Sequence, residues 1–503
     1  MTSATLPSHV RHLIVGAGFS GLAMAIKLDE SGEPDFLAID RGSDVGGTWR
    51  DNTYPGAACD VPSQLYSFSF ALNPEWSSAF SPQPEIQAYI KKVADESGVL
   101  DRFVFNTSLE AAAWDDKAQL WRLSTSAGHI TADFVISAAG GLVEPKLPEI
   151  DGIDSFGGEV FHTARWNHDV DLTGKRVAII GTGASAIQVV PEVQKIASHL
   201  DVYQRTAPWI IPRNERKYTG VEKFLFRNVP GVQKAYRAAI YSSLEVRVPG
   251  FTLEPRILNL GKAAALLNIR KGIKDPELRK AVTPSYAIGC KRILISNAYY
   301  PALDADNVDL VTTGISKITG DAVVTTDGVE RPIDVLIVAT GFYTTDQPIA
   351  HHITGRDGRT MAEVFAEGGM AAYKGGTVRG FPNLFQVTGP NTGLGHSSMV
   401  YMIESAVTYI YEAIATATRD GLAVVEPTAE AQDAWNDSLQ KRMKKTVWTT
   451  GGCASWYVDE NGKNTTLWPK STLGYRATLS RFDLDNYETT PAKKAPSKKK
   501  VSA

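Results

Sequence analysis

Two glycine-rich turns, at residues 16–21 and 181–186, constrain the fold of this 503-residue chain more than any other feature. The first, Gly16-Ala17-Gly18-Phe19-Ser20-Gly21, follows a short apolar strand, Arg11-His12-Leu13-Ile14-Val15. It opens a helix with Leu22, Ala25, Ile26 and Leu28 on one face, ending near Gly32. A second strand, Phe36-Leu37-Ala38-Ile39, then runs into Asp40, 24 residues beyond Gly16. That spacing is close to the roughly 20 residues expected of a dinucleotide-binding unit. Glycines let the backbone approach a pyrophosphate, and the helix N-terminus supplies positive potential. Asp40 is placed to accept from a ribose hydroxyl. Gly16, Gly18, Ser20, Gly21 and Asp40 are therefore candidate binding residues. A glycine turn alone would say little; strand, turn, helix, strand and acid in this order specify a nucleotide site.

The second unit repeats the first. Lys175-Arg176-Val177-Ala178-Ile179-Ile180 feeds Gly181-Thr182-Gly183-Ala184-Ser185-Ala186, and a helix follows through Ile187, Val190, Val193 and Ile196. Ala186 stands in the third glycine position, where a small residue still permits close helix–strand packing. The next strand, Leu200 to Gln204, ends at Arg205, again 24 residues past the first glycine. A cation here in place of an acid matches a ribose carrying a 2′-phosphate, which an arginine pairs and an aspartate repels. The second site is thus expected to take NADPH rather than NADH. The segments Asp133–Gly140 and Asp334–Gly341 are also alike, each a buried strand closing the unit its glycine turn opened. The expected fold is α/β: two doubly wound, Rossmann-like dinucleotide-binding domains, with a helical insertion in the second.

Length and composition agree with a globular protein of this kind. Net charge is −3, yet five lysines fall in the last thirteen residues, so the remainder is more acidic still. That balance argues against nucleic acid as a partner. The three cysteines, Cys59, Cys290 and Cys453, form no C-x-x-C, so a zinc ribbon or vicinal dithiol is not supported and a reducing compartment is expected. No residue cluster has metal-ligand spacing, no G-x-S-x-G is present, and no apolar run is long enough to cross a membrane. A cytoplasmic protein, monomeric or weakly oligomeric, is expected. The chain divides into 1–141, the first nucleotide domain; 142–211, linker and start of the second; 212–285, a helical insertion; 286–379, completing the second; 380–488, a return to the first with a mobile loop; and 489–503, a disordered lysine-rich tail.

Two further segments are more specific. Gly46-Gly47-Thr48-Trp49 is followed, after four residues, by Tyr54-Pro55-Gly56 and, after three more, by Asp60. The linker reads Phe156-x-Gly158-x-x-x-His162-x-x-x-Trp166-Asn167 and shows neither helical nor strand period. Together these resemble the two fingerprints of type I Baeyer–Villiger monooxygenases. The linker departs only at Asn167, where the family has proline or aspartate.

The resemblance implies that the first domain binds FAD, with Thr48 and Trp49 along the flavin, Asp60 near its reactive ring and Tyr66 packed there; Met399 abuts it too. Phe68 and Phe70 are read as core. For NADPH, it implies contacts from Gly181, Thr182, Gly183, Ala184, Ser185 and Ala186, from Arg205-Thr206 and Lys291 at the 2′-phosphate, and from Trp456 on a mobile loop. Lys291-Arg292, followed by Tyr299-Tyr300, matches a family segment that makes Arg292 the active-site arginine. Its guanidinium would stabilise an anionic C4a-peroxide and the adduct formed with a carbonyl, with Asp60 orienting it. The implied reaction converts a ketone, dioxygen and NADPH into an ester or lactone, with sulfides as secondary substrates. His162 and Trp166 would couple the two domains. The rival readings are a flavin N- or S-hydroxylating monooxygenase, whose linker motif does not end in tryptophan, and an NADPH-dependent flavin reductase or oxidase.

Overall fold

The computed structural model describes residues 6–493. His9–Val15 (β1), Phe19–Glu30 (α1) and Phe36–Ile39 (β2) build the first unit, and β1 and β2 pair in parallel, His12 opposite Phe36 through Val15 opposite Ile39. On its other side β1 pairs in parallel with Gly128–Ser137, whose first half also forms an antiparallel meander with Leu120–Thr125 and Leu109–Asp115. The chain re-enters this eight-stranded sheet late. Leu384–Gln386 runs parallel to Val135–Ser137. Asn383, at φ 56°, arranges that return: its amide donates to the Asp133 and Ala423 carbonyls at 2.9 and 2.8 Å and accepts from the Val425 N–H. The helix Met399–Asp420, capped by Ser398, then packs its apolar face onto α1.

The second unit is Arg176–Ile180 (β3), Ala186–Gln194 (α2) and His199–Tyr203 (β4). It lies within a wholly parallel five-stranded sheet of order Val308–Val311, β4, β3, Val335–Val338, Glu159–His162. All five strands point their C-terminal ends the same way, the edge at which ligands of open parallel sheets bind. Ile196 does not share the helical face expected of it, because α2 stops at Gln194 and Ile196 is exposed. Between residues 220 and 281 the chain is helical: Gly220–Asn228, Val232–Glu245, Val248–Thr252, Asn259–Gly272 and Pro276–Ala281.

Four further sequence expectations change. The linker is not irregular throughout: Glu159–His162 is the edge strand of the second sheet, paired with Val335–Val338. A single edge strand paired on one side leaves no alternating pattern to read. Thr489–Pro491, assigned to a disordered tail, pair with Val425–Leu422 in a two-stranded sheet; the lysines beyond 493 lie outside the described residues. Phe68 is fully buried but Phe70, stacked on it at 4.8 Å, is half exposed. Finally, Cys290 and Cys453, 163 residues apart, are joined in a disulfide, so the reading of a chain kept reduced throughout is not what the structure shows.

Candidate active site

The two glycine turns are superimposable in their physical logic. Gly16 has φ +117° and Gly181 has φ +118°, and a Cβ on either would lie 2.6 or 2.5 Å from a backbone oxygen, that of Ala138 or Ala339 respectively. Each first glycine is thus pressed against the end of the strand that closes its unit. Gly21 is tighter still, since its Cβ would sit 1.8 Å from the Gly16 oxygen. By contrast, the Cβ positions of Gly18 and Gly183 face open space or nearly so. Neither α1 nor α2 carries a side-chain cap, so their first N–H groups remain available to an anion. Two dinucleotide pyrophosphates would fit these cradles.

Asp40 sits at the C-terminal end of β2 and is nearly buried. Its carboxylate accepts from the Ala17 and Gly42 N–H groups at 2.7 Å each and pairs with Arg50 at 2.7 Å, fixing the turn that follows β2. Gly46 and Gly47 place Thr48 and Trp49 at the start of a short helix facing Gly18. Thr48 is exposed, whereas Trp49 is buried, donates to the Tyr66 hydroxyl at 3.0 Å and meets its ring edge-on. Burial pushes the Tyr66 phenol far up, so it stays protonated. Met399, half-buried, opens the long helix and packs against the same core.

In the second unit Thr182 donates to the Thr206 carbonyl at 3.1 Å, tying the glycine turn to the end of β4. Gly183 and Ala184 are exposed, Ser185 is half-buried and Ala186 is buried under the sheet. Beside them, Arg205 and Thr206 line a cavity of about 540 Å³ together with Lys280, Thr283 and Ser285. Lys291 lies near this wall over the Tyr286 ring at 5.3 Å, and burial followed by the charge of Arg205 lowers its ammonium pKa. Two cations that raise each other's energy are held here with no acid paired to either among the described residues.

Asp60 and Arg292, 232 residues apart, meet in a bidentate pair with N–O distances of 2.7 and 2.8 Å. A third guanidinium nitrogen donates to the Leu394 carbonyl at 3.2 Å. Side-chain exposures of 27% and 30% leave the pair partly accessible. Burial alone would push the Asp60 carboxyl up, but the Arg292 charge and hydrogen bonds hold it below the usual carboxylate range. Asp60 in turn raises the already high Arg292 pKa, so both stay charged. The buried Tyr457 hydroxyl, pushed up to about 12 by burial and by Asp60, is also within the field of this pair. Trp456, next to it, is 46% exposed.

The linker residues pack on the second unit. A Cβ on Gly158 would strike the Asp334 oxygen at 2.3 Å and the Phe156 ring at 2.6 Å, which explains the spacing of that phenylalanine and glycine. His162 ends the edge strand with its ring buried and meets Phe342 edge-on. Its Nδ1 accepts from the Ala164 N–H at 3.0 Å, so the neutral ring carries its proton on Nε2; burial and Arg165 lower its pKa to about 4. Trp166 packs edge-on against Phe161. Asn167 accepts from the Asp169 N–H at 3.1 Å, a turn-closing bond that an aspartate would make equally well. The departure at this position is therefore conservative in geometry.

Sequence reasoning missed Gln188. From α2 of the second unit it accepts from the Tyr54 hydroxyl at 2.8 Å and donates to the Ala58 carbonyl at 3.0 Å. Gly56 lies against it so closely that a Cβ would reach the Gln188 oxygen at 2.5 Å. The fingerprint glycine of the first unit is therefore a contact surface for the second. Elsewhere in the second unit His199, Asp201 and Asp309 come together, but Arg331 bonds both carboxylates at 2.9 Å, which fills the place a cation would take.

Comparison with known proteins agrees with this geometry. A family model described as flavin-binding monooxygenase-like matches residues 10–239. A Baeyer–Villiger monooxygenase of Streptomyces coelicolor is 48% identical over 481 residues, covering 95% of this chain and 92% of the relative. The chain belongs to the Baeyer–Villiger monooxygenase family. A second such enzyme, from Pseudomonas aeruginosa, is 48% identical over 97% of this chain and 94% of its own length. Among solved structures, cyclohexanone monooxygenase from Rhodococcus sp. Phi1 bound to NADP+ superimposes with a TM-score of 0.85 at 28% identity, covering 97% of this chain and 100% of that one. As a member of this family the chain is a flavin-dependent oxidoreductase with a mixed α/β fold built on parallel sheets. Among the described residues no helix is long and apolar enough to cross a membrane.

Proposed function

We propose that this enzyme holds FAD on the first unit and NADPH on the second, and uses NADPH and dioxygen to insert one oxygen atom beside a ketone carbonyl. The overall change is ketone + O2 + NADPH + H+ to ester or lactone + H2O + NADP+. FAD, when bound, supplies acceptance of hydride from NADPH and activation of dioxygen; the chain's own residues do the rest. Gly16, Gly18, Ser20 and Gly21 with α1 hold its pyrophosphate, and Asp40 its ribose side. Thr48, Trp49, Tyr66 and Met399 wall the ring. Thr182 through Ala186 hold the nicotinamide cofactor's pyrophosphate, while Arg205, Thr206 and Lys291 take its 2′-phosphate. Residues 220–281 read as an insertion into this second domain.

The observation that carries the proposal is the Asp60–Arg292 pair. A guanidinium oriented by a bidentate carboxylate, with its side chain still 30% exposed, is a fixed positive charge for an attacking oxygen anion and for the carbonyl oxygen as it becomes tetrahedral. Asp60 is ionised at working pH, which rules it out as a proton donor, and both its oxygens accept from Arg292, so it acts by orientation and charge balance. His162, neutral above about pH 4, and Trp166 couple the edge strand of the second sheet to the first unit.

The test is a panel of cyclic, linear and aryl ketones, with ester or lactone yield measured against NADPH and oxygen consumed. Ester formation in proportion to NADPH supports the reading. NADPH consumption that yields only hydrogen peroxide with every ketone would sink it in favour of an oxidase.

A further inference from the structure

The loop from Gly451 to Trp468 carries Trp456 and Tyr457, and it is fastened at two ends. At its far end Gly393 donates to the Thr466 carbonyl at 2.9 Å and accepts from the Trp468 N–H at 2.8 Å. Leu394, the next residue, offers its carbonyl to Arg292. At its near end Cys453 is bonded to Cys290, two residues before Arg292, with Cα atoms 6.2 Å apart. The two fastenings thus converge on one side chain. Around the near one, Ala287 donates to the Gly451 carbonyl at 3.0 Å, and a Cβ on Gly451 would lie 2.6 Å from Cys290. Gly452, at φ +72°, supplies the bend that lets the loop leave this contact. Inside the loop Asp459 donates to the Lys463 carbonyl and Val458 is bridged to Asn464, and this second half is also held from outside, Lys463 donating to the Gly368 carbonyl at 2.7 Å and Asn391 to the Asn464 carbonyl at 2.8 Å.

The far fastening is backbone pairing and does not depend on redox state. The near one does. Cys290 is fully buried, whereas Cys453 is half-buried and faces the loop, so a reductant can reach only the Cys453 side. We propose that the Cys290–Cys453 disulfide is a redox-responsive tether that positions the Trp456–Tyr457 loop against Lys291 and Arg292. Oxidised, it closes the loop over the reacting groups; reduced, it frees residues 453–456 of their covalent hold, while the second half of the loop keeps its hydrogen bonds. Reduction is thiol exchange with a dithiol: the reductant's thiolate attacks Cys453 Sγ and expels Cys290 as thiolate. The second reductant thiol then displaces Cys453, giving two protein thiols and one oxidised reductant. The reverse takes a peroxide: one thiolate becomes a sulfenic acid with release of water or alcohol, and the second thiol displaces water to restore the bond. Hydrogen peroxide is what an NADPH- and oxygen-consuming flavoprotein releases when oxygenation fails, so leakage would itself reset the tether. This last step rests on the function proposed above.

Cys290 and Cys453 act here as positioning residues, and the test separates positioning from both simple stability and the proposed reaction. Thiols are counted under denaturing conditions, chymotrypsin cleavage after the exposed Trp456 is timed, and peroxide released per NADPH is measured, all on FAD-loaded enzyme before and after dithiothreitol and again after re-oxidation with hydrogen peroxide. Expected are one thiol (the buried Cys59) when oxidised and three when reduced, with faster cleavage and a severalfold higher peroxide fraction in the reduced state, both reversed on re-oxidation. C290S/C453S should behave as the reduced enzyme whether or not reductant is present; reduction of the native chain serves the same purpose if that variant fails to fold. Three thiols in the air-oxidised protein, or equal cleavage and equal peroxide in both thiol states, would overturn the proposal. Absence of any ester in either state counts against the proposed function alone, since the thiol count and the cleavage rate still report on the tether.

Discussion

Replacing Arg292 and Asp60 singly and together tests the core of the proposed mechanism. Arg292→Ala removes a charge-assisted donor aimed at developing negative charge, and the loss of one such donor typically costs about 2.7–4 kcal/mol, or 10²–10³ in rate. The expected result is that fall in ester formation, with reduction of bound FAD by NADPH nearly unchanged. Asp60→Ala leaves the guanidinium present but held only by the Leu394 carbonyl at 3.2 Å. Orientation then depends on one neutral bond instead of three, and a loss of about 1–3 kcal/mol is expected. Because Asp60 acts through Arg292, the double variant should be no slower than Arg292→Ala alone, as for residues that work as one unit. Single-turnover product analysis beside flavin reduction kinetics makes the measurement. If the double variant's loss were the product of the two single losses, the residues would be acting independently and the orientation argument would be wrong.

The same variants have a stability signature. In the native chain the Asp60 carboxyl is held below 3.8, so its contribution is present above that value and is lost only as pH falls through the lowered one. In Arg292→Ala the opposing burial dominates and raises it. The sign then reverses: stability is greatest below 3.8 and declines as pH climbs through the raised value. Thermal midpoints of the two proteins between pH 4 and 7 should therefore diverge as pH rises, and parallel curves would refute the account.

The remaining predictions concern the two nucleotide sites and their joint. Arg205→Ala should cut the preference for NADPH over NADH by about 10–100-fold, the worth of one charged hydrogen bond of about 1.5–3 kcal/mol, as read from kcat/KM for both cofactors; an unchanged ratio would remove Arg205 from the 2′-phosphate site. Gly21→Ala would place a Cβ 1.8 Å from the Gly16 oxygen, so soluble protein should be lost or recovered without FAD, as measured by flavin absorbance. His162, neutral down to about pH 4, disfavours the folded state as pH falls from 6.5 towards that value; His162→Gln should flatten the acid decline of the thermal midpoint there, while an unaltered profile would mean the imidazole is not the group responsible. His162→Ala should retain flavin reduction by NADPH but lose ester formation in single-turnover assays.

How much of this was legible in the sequence follows from the range of the forces involved. The glycine turns, β1, β2, β3, β4 and the strand at Val335–Val338 were readable because short apolar runs beside required backbone conformations are local facts. The resemblance in residues 46–60 carried Asp60 and that of Lys291-Arg292 with Tyr299-Tyr300 carried Arg292, and the structure brings the two into one bidentate pair across 232 residues. What could not be read was set by pairing at a distance. Glu159–His162 is a strand only because Val335–Val338 offers it an edge, and Thr489–Pro491 only because Leu422–Pro427 does. The disulfide was hidden for the same reason, since 163 residues separate its cysteines and no local spacing signals their approach. Phe70 was misjudged because an aromatic beside a core aromatic can stack on it from outside.

The joint between the units has the same long-range character, and its geometry limits how the domains can move. Gln188 on α2 grips the Tyr54 hydroxyl and the Ala58 carbonyl, with Gly56 pressed against its backbone. Thr53 in the same loop meets His168 at 2.7 Å, just past Trp166. The loop that ends in Asp60 is therefore held by the second unit at two points, one on its nucleotide helix and one on the linker. A rotation of the second sheet that broke these bonds would pull on Tyr54 through Ala58 and so on Asp60 two residues later, disturbing the orientation of Arg292. Through these bonds a shift of the second unit would reach the guanidinium on which the proposed mechanism relies. Gln188→Ala removes the helix contact while leaving both nucleotide cradles intact. It should raise peroxide released per NADPH without altering the NADPH-to-NADH ratio. A change in cofactor preference with coupling preserved would instead place Gln188 in nucleotide binding.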